Sequence, residues 1–225
     1  MPRLTWFGHS AFMIELMGKV MLVDPWLTHA LSPIRPSDLE KVDYIIITHD
    51  HGDHMGDVLE IMKRHRKAKV ISIFEIANYI GEALREPNRT IGGNIGGPIY
   101  VDDLEIVLTP AYHSSARGSP TGVVIMSKEG TIYHAGDTGI FAEMSFIGEL
   151  YKPSVALLPI GGHFTMGVRE AVKATELIKP QYVIPMHYNT FPVIRADPYE
   201  FKKLVEEKVP GVKVVILKPG ESFEF

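Results

Sequence analysis

The chain has 225 residues, a net charge of −4 at pH 7 and no cysteine. This length is enough for one well-filled core and predicts a single domain over residues 1–225. Without cysteine the chain forms neither disulfides nor thiolate metal sites, and its acidic balance argues against a nucleic-acid partner, because nucleic-acid-binding proteins usually present a basic face.

Strands are predicted at the start of the chain. Short apolar runs at residues 4–7, 12–16 and 20–23 have strand-like composition, and Gly18-Lys19 indicates a tight turn between the last two. His9 lies in a turn after the first run. The N-terminus has no signal-peptide pattern and no apolar run is long enough to span a membrane, which together predict a cytoplasmic protein.

The run Thr48-His49-Asp50-His51-Gly52-Asp53-His54 is the most specific motif. It places four potential metal ligands within six residues: His49, His51, Asp53 and His54. A β-branched apolar run at residues 42–47 predicts a buried strand before it, and helical periodicity at residues 58–64 follows it. The motif therefore falls on a strand-to-helix loop, where α/β sheets bind ligands. It predicts a metal site built from nitrogen and oxygen ligands.

The rest of the chain mixes helices and strands, which by periodicity predicts an α/β or α+β fold. The glycine-rich segment 92–98 predicts a flexible turn rather than a phosphate cradle, because a strand-like run follows it instead of a helix. A substrate-gating role for this segment stays open. Helices are predicted at residues 75–84, 168–178 and 198–209, and strands at 104–108, 123–126, 131–133, 182–186, 212–217 and 222–225.

Three further potential ligands each follow a predicted strand. His113 comes after the strand at residues 104–108, Asp137 after the strand at 131–133, and His187 after the strand at 182–186. Strand ends are the positions at which α/β sheets present functional side chains.

The remaining histidines have different settings. His163 follows an apolar run at residues 155–159 and lies on another strand-end loop. His134 lies within a strand, which predicts a packed side chain. His29 and His65 match no motif and are predicted to be ordinary surface residues.

Taken in order, these motifs resemble those of the metallo-β-lactamase superfamily of binuclear metal hydrolases. Asp24, the run 48–54, His113, Asp137 and His187 match the family's motifs in sequence order and span nearly the whole chain. Within the superfamily, the narrower resemblance is to the ascorbate-6-phosphate-lactonase-like branch of metal-dependent hydrolases. It rests on residues 6–12, 159–167 and 184–188.

The resemblance implies a four-layer αββα sandwich and a centre of two divalent metal ions. Zn²⁺ is the expected ion, and a nitrogen and oxygen ligand set leaves Mn²⁺, Fe²⁺ and Ni²⁺ open. Asp24 would accept hydrogen bonds from the metal loop, and His9 would support the site or contact the substrate. The implied ligands are His49, His51 and His113 for one ion, Asp53, His54 and His187 for the other, and Asp137 as the bridge.

The implied activity is hydrolysis of a small ester, lactone or phosphodiester by a hydroxide shared between the two ions. Asp53 would orient this hydroxide. His163 would protonate the leaving oxygen or donate a hydrogen bond to an oxyanion, or else would only cap the helix that begins near Val168. Flavodiiron oxidoreductases of this fold carry Glu at the position of His51, so hydrolysis is favoured over redox chemistry.

The expected partner is a small-molecule substrate, and a homo-oligomer stays open. Two other functions remain as alternatives. One is a nuclease that processes RNA or DNA, and the other is a non-catalytic metal-binding regulatory protein.

Overall fold

Two seven-stranded sheets form the centre of the computed structural model, which describes residues 1–225. The first six strands are β1 (Arg3–Trp6), β2 (Phe12–Leu16), β3 (Lys19–Val23), β4 (Tyr44–Ile47), β5 (Lys69–Ile73) and β6 (Thr90–Gly93). The others are β7 (Pro98–Val101), β8 (Leu104–Pro110), β9 (Thr121–Ser127), β10 (Gly130–His134), β11 (Val155–Pro159), β12 (Tyr182–Met186), β13 (Lys213–Val214) and β14 (Ser222–Glu224).

Six α-helices and three short 3-10 segments connect these strands. None of the helices is long and apolar enough to cross a membrane. The helices are α1 (Gly52–Met55), α2 (Val58–Arg64), α3 (Phe74–Leu84), α4 (Met144–Tyr151), α5 (Val168–Ile178) and α6 (Pro198–Lys208), and the 3-10 segments are Pro36–Asp38, Pro87–Arg89 and Pro192–Ile194.

The two sheets share one pattern of strand pairing. Their orders are β14-β1-β2-β3-β4-β5-β6 and β13-β12-β11-β10-β9-β8-β7. From β1 to β3 the pairing is antiparallel and from β3 to β6 it is parallel. From β7 to β10 it is antiparallel and from β10 to β13 it is parallel. The fold thus consists of two similar halves, although the sequence shows no repeat.

The sheets pack face to face with helices outside them. One apolar cluster of 58 buried residues draws on both sheets, and the rings of Phe12 in β2 and His134 in β10 lie 5.7 Å apart. Helix α3 packs on β5 and β6, α5 packs on β11, and α6 packs on β13. Every residue of β4 and β11 is buried, as expected for strands covered on both faces. The predicted sandwich of α and β layers is confirmed.

Two segments differ from their predictions. The pattern of residues 212–217 predicts one strand, but the strand covers only Lys213–Val214. Val215 N still donates a hydrogen bond to Val183 O of β12 at 3.0 Å, and the chain then continues to β14, which pairs with β1 of the first sheet. In the glycine-rich segment, Gly92 and Gly93 end β6 and Pro98 begins β7, so only residues 94–97 form the predicted turn. That turn carries the chain from the first sheet to the second.

Candidate metal centre

The predicted ligands meet where strands of both sheets end. Asp24 follows β3, residues 49–54 follow β4, and His113, Asp137 and His187 follow β8, β10 and β12. The two similar halves therefore each contribute loops from the carboxyl ends of their strands, as α/β folds do at their binding sites. The structure brings all seven predicted ligands together, and His9 and Asp24 lie against them.

Three imidazole nitrogens converge on one side of this centre, in a group that we call the three-histidine cluster (His49, His51 and His113). His51 Nδ1 lies 3.0 Å from His49 Nε2 and 3.2 Å from His113 Nε2. Two nitrogens bound tetrahedrally to zinc at about 2.0–2.1 Å lie roughly 3.3 Å apart. The spacing of these three nitrogens is therefore that of ligands to one small cation.

The carboxylate cluster (Asp53, His54, Asp137 and His187) lies beside it. His54 Nε2 is 3.3 Å from Asp137 Oδ1, and His187 Nε2 is 3.0 Å from Asp137 Oδ2. Asp137 Oδ2 also faces the three-histidine cluster, at 3.5 Å from His113 Nε2. Asp137 is only 3% exposed and contacts histidines of both clusters, as the predicted bridge would.

Several atoms at this centre are buried without a hydrogen-bond partner. They include His54 Nε2, Asp137 Oδ1 and His187 Nε2. A buried polar atom left unpaired costs about 1–3 kcal/mol, so a cluster of such atoms within one site is unfavourable unless something binds there. Their lone pairs converge, and imidazole and carboxylate are ligands of divalent transition metals. The residues present therefore fit the metal ions that the fold implies.

Asp24 and Thr48 determine which ring nitrogen of His49 and His54 carries the proton. Asp24 Oδ1 accepts a hydrogen bond from Thr48 N at 2.8 Å, and Oδ2 accepts from the Thr48 hydroxyl at 2.6 Å and from His54 Nδ1 at 2.7 Å. Since the Thr48 hydroxyl donates to Asp24, it accepts from His49 Nδ1 at 3.0 Å. Both histidines thus hold a proton on Nδ1 and point Nε2 into the centre, so that Nε2 is the atom free to bind a metal ion once it carries no proton.

His9 holds Asp53 from the other side. Its Nε2 lies 2.9 Å from Asp53 Oδ2 and its Nδ1 lies 3.0 Å from Thr190 Oγ1. An ionised carboxylate only accepts, so His9 Nε2 donates to Asp53 and the Thr190 hydroxyl donates to Nδ1. The His9 ring is buried and packs 4.0 Å from the ring of His187, between centroids.

Two buried groups of the centre, His49 and Asp137, are held in the protonation states that bind metal. Burial, together with the neighbouring His54 charge, lowers the pKa of His49 to about 2 and keeps its imidazole neutral. Burial alone would raise the pKa of Asp137, but His54 and His187 outweigh it and hold that pKa well below its usual range. Neutral imidazole and ionised carboxylate are the forms that coordinate cations.

Three residues of the site have left-handed backbone conformations. The φ angles are 52° at His9, 47° at Asp24 and 54° at His187. Such a conformation costs a residue with a side chain about 1–2 kcal/mol. Each of these residues lies beyond the end of a strand, where the chain turns sharply and aims the side chain at the centre. Strain of this kind is concentrated at functional sites.

His163 does not join these groups. Its side chain is exposed, its ring contacts Phe164 at 4.4 Å between centroids, and its φ is 60°. It does not cap α5, since Gly167 holds the capping position and no side chain accepts a hydrogen bond there. The loop of His163 nevertheless reaches the centre, because Met166 N donates to Thr138 O beside Asp137.

Two other histidines help to shape the site. His134 is buried as predicted, accepts a hydrogen bond from Gly136 N and donates to Ser10 O, which ties the turn before Asp137 to the turn of His9. The prediction of His29 as a surface residue is wrong, because it lies buried under the turn at Gly8, with Nε2 3.1 Å from Phe7 O. Sequence reasoning also missed the roles of Thr48 and Thr190, although Thr48 is the first residue of the motif.

Known proteins share this architecture. A family model described as "Beta-lactamase superfamily domain" matches residues 19–188. A relative from Staphylothermus marinus, named a "UPF0173 metal-dependent hydrolase", is 59% identical over 232 residues and the match covers 100% of both chains. A second relative of the same name, from Hyperthermus butylicus, is 54% identical over 229 residues and is also matched over 100% of both chains.

Solved structures extend the likeness. Igni18, described as a novel metallo hydrolase from the hyperthermophilic archaeon Ignicoccus hospitalis, has a TM-score of 0.93 at 51% identity, over 100% of this chain and 99% of its own. CmlA, a diiron beta-hydroxylase from Streptomyces venezuelae, has a TM-score of 0.79 at 16% identity, over 100% of this chain and 54% of its own. The second likeness shows the fold alone.

Proposed function

Because this chain belongs to the beta-lactamase superfamily and is a metal-dependent hydrolase of the metallo-β-lactamase fold, we propose that it binds two divalent ions and hydrolyses a small ester, lactone or phosphodiester. Zinc is the ion we expect. The proposed ligands are His49, His51 and His113 on one side, Asp53, His54 and His187 on the other, and Asp137 between them.

The position of Asp137 carries this proposal. One of its oxygens faces His54, while the other lies within 3.0 Å of His187 and 3.5 Å of His113. A buried carboxylate that contacts both histidine groups supports two neighbouring cations rather than one, because its charge offsets part of their mutual repulsion. When bound, such ions supply Lewis acidity and lower the pKa of water.

The chain's own residues orient the components of the reaction. Asp24 and Thr48 hold the imidazoles of His49 and His54 with their Nε2 atoms toward the centre. His9 holds the carboxylate of Asp53, whose side chain is 25% exposed and so can contact a water or a substrate at the mouth of the site. Asp53 is therefore the proposed residue that orients the attacking water.

His163 is the proposed proton donor to the leaving group. Its exposed imidazole lies on a loop bonded to the segment that carries Asp137, and it has no structural hydrogen bond to give up. General acid catalysis needs a titratable group that is accessible to the substrate. A small substrate is favoured over nucleic acid because the chain has a net charge of −4.

Elemental analysis and a substrate panel test this proposal together. Protein purified without added metal should contain bound divalent ions, and a variant that lacks one proposed ligand, His113→Ala, should lose one of them. His65→Ala is the matched control, since it removes a histidine at the end of α2, outside both clusters. The panel should show turnover of at least one ester, lactone or phosphodiester. Unchanged metal content in His113→Ala would refute the ligand assignment, and no turnover across the panel with both ions bound would refute the substrate class.

A further inference from the structure

The loop that carries His113 leaves the second sheet but is held by the first half of the chain. Ser115 Oγ donates a hydrogen bond to Asp50 Oδ1 at 2.9 Å, and Ala116 N donates to the same oxygen at 2.8 Å. Arg117 Nη1 donates to Asp50 Oδ2 at 3.0 Å. The Asp50 side chain is 1% exposed, so the whole carboxylate is occupied by this one segment.

The segment that follows His113 also contacts helix α3 of the first half at two points. The Arg117 guanidinium lies over the ring of Tyr79 in α3, with Cζ 3.9 Å from the ring centroid. Gly118 has a φ of 62°, and a Cβ there would meet Glu75 Oε2 at 2.6 Å. The segment thus packs closely on α3 in a conformation that favours glycine.

On its other side, His113 is anchored to the loop of the proposed bridging residue. Tyr112 N donates a hydrogen bond to Thr138 Oγ1 at 2.9 Å, and Gly139 N donates to Tyr112 O at 3.0 Å. His113 therefore lies between two anchors. One anchor adjoins Asp137, and the other is Asp50, which stands between His49 and His51 in the sequence.

We propose that Asp50 is a positioning residue that completes the three-histidine cluster by fixing His113 against His49 and His51. This inference rests on the proposed function, because it needs that cluster to hold an ion. The neighbours of Asp50 in the sequence supply two of the three nitrogens, and its side chain restrains the third. A carboxylate that accepts three hydrogen bonds, one of them from a guanidinium, is a strong restraint.

The restraint acts on one cluster only. The segment 115–117 makes no hydrogen bond to any member of the carboxylate cluster, whose residues are held by Asp24 and His9 instead. Loss of Asp50 should therefore weaken one ion and spare the other. Partners that orient metal ligands typically change metal affinity by about 10–100-fold when they are removed.

Asp57 offers a matched control for Asp50. It is also an aspartate in the stretch that follows β4, and it also accepts three hydrogen bonds from another loop: from Leu27 N at 2.6 Å, Thr28 N at 3.0 Å and Thr28 Oγ1 at 3.0 Å. That loop follows β3 and carries no proposed ligand. Asp57→Ala thus removes a comparable restraint without touching the segment of His113.

The experiment is a zinc titration of metal-free protein against a competing chelator, with unfolding curves of the same metal-free samples. We expect two ions in the wild type, a loss of about 10–100-fold in affinity for one ion in Asp50→Ala, and both affinities retained in Asp57→Ala. Asp50→Asn keeps an acceptor for Ser115 and Ala116 but loses the charge that faces Arg117, so its loss should be smaller. It also tests the proposal if Asp50→Ala does not fold.

Three outcomes separate the possibilities. Wild-type affinity for both ions in Asp50→Ala and Asp50→Asn would overturn the role of Asp50 and leave the proposed function standing. An equal loss in Asp57→Ala would show general loosening and would also overturn it. If His113→Ala leaves both affinities unchanged in the same titration, the ligand assignment under the proposed function fails instead.

Discussion

Replacing Thr48 with valine should disable one metal ligand without removing it. The Thr48 hydroxyl donates to Asp24 and accepts from His49 Nδ1, and the residue is fully buried. Valine has the same shape and keeps the backbone N–H that donates to Asp24 Oδ1. Asp24 also keeps its hydrogen bond with His54. The loss is therefore concentrated at His49 Nδ1, which is left without an acceptor.

The expected effect has two parts. A buried donor without a partner costs about 1–3 kcal/mol, which should appear in the free energy of unfolding of the metal-free protein. In addition, the His49 ring is no longer held with Nε2 toward the centre, so metal affinity should fall by about 10–100-fold. At about 1.4 kcal/mol for each factor of ten, that is roughly 1.4–2.8 kcal/mol of binding free energy.

Thr48→Ser is the control, because serine keeps the hydroxyl and loses only a methyl group. Denaturant unfolding of metal-free protein and chelator competition would measure the two parts, and nitrogen NMR of the His49 ring would report its tautomer. We expect Thr48→Ser to bind metal like the wild type and Thr48→Val to bind it more weakly. Equal metal affinity in Thr48→Val and the wild type, or an equal loss in both variants, would show that the hydroxyl does not orient His49.

Four further predictions concern the same centre. His51→Ala should lose metal and activity but keep its fold, since His51 lies on a loop; full metal content per chain by elemental analysis would contradict its assignment as a ligand. Asp137→Asn should reduce both the metal stoichiometry and turnover, because an amide ligates poorly and carries no charge to offset two cations, and an unchanged stoichiometry would mean that Asp137 is not the bridge. His163→Ala should keep its metal content and melting temperature while turnover falls by about a hundredfold or more, whereas lost stability with near-normal turnover would indicate a structural role. Metal binding should release a proton from His54, because Asp137 and Asp24 outweigh the effect of burial and raise the pKa of this imidazole. Metal affinity should therefore increase with pH up to that raised pKa. Calorimetry in two buffers of different ionisation enthalpy would count the released protons.

The part of this site that depends on local spacing was predictable from the sequence. Residues 48–54 follow an apolar strand, so their position beyond the end of β4 could be inferred from a short stretch of chain. Only residues 48–51 lie on the predicted loop, however, because helix α1 already begins at Gly52 within the motif. His113, Asp137 and His187 each follow a strand, and the resemblance to the superfamily placed them in one centre. The sandwich of α and β layers was predicted on the same basis.

The pairing of the two sheets could not be predicted from periodicity. Alternation of apolar residues shows that a strand has a buried face, but it does not identify the neighbouring strand. Residues 212–217 illustrate this, since their apolar pattern continues past Val214, where the strand ends, and the next strand of the chain, β14, belongs to the first sheet. His29 is a similar case, because its burial under Gly8 depends on how one loop folds over another.

The hydrogen bonds that hold the ligands were decided only by the tertiary structure. Asp50 accepts from residues 65–67 positions away in the chain, and Asp24 accepts from Thr48 and His54, which lie 24 and 30 positions away. A sequence motif records which residue types are present and how far apart they lie along the chain. The proton that each imidazole carries and the lone pair that it directs inward depend on partners brought close by the packing of two sheets, and only folding creates those contacts.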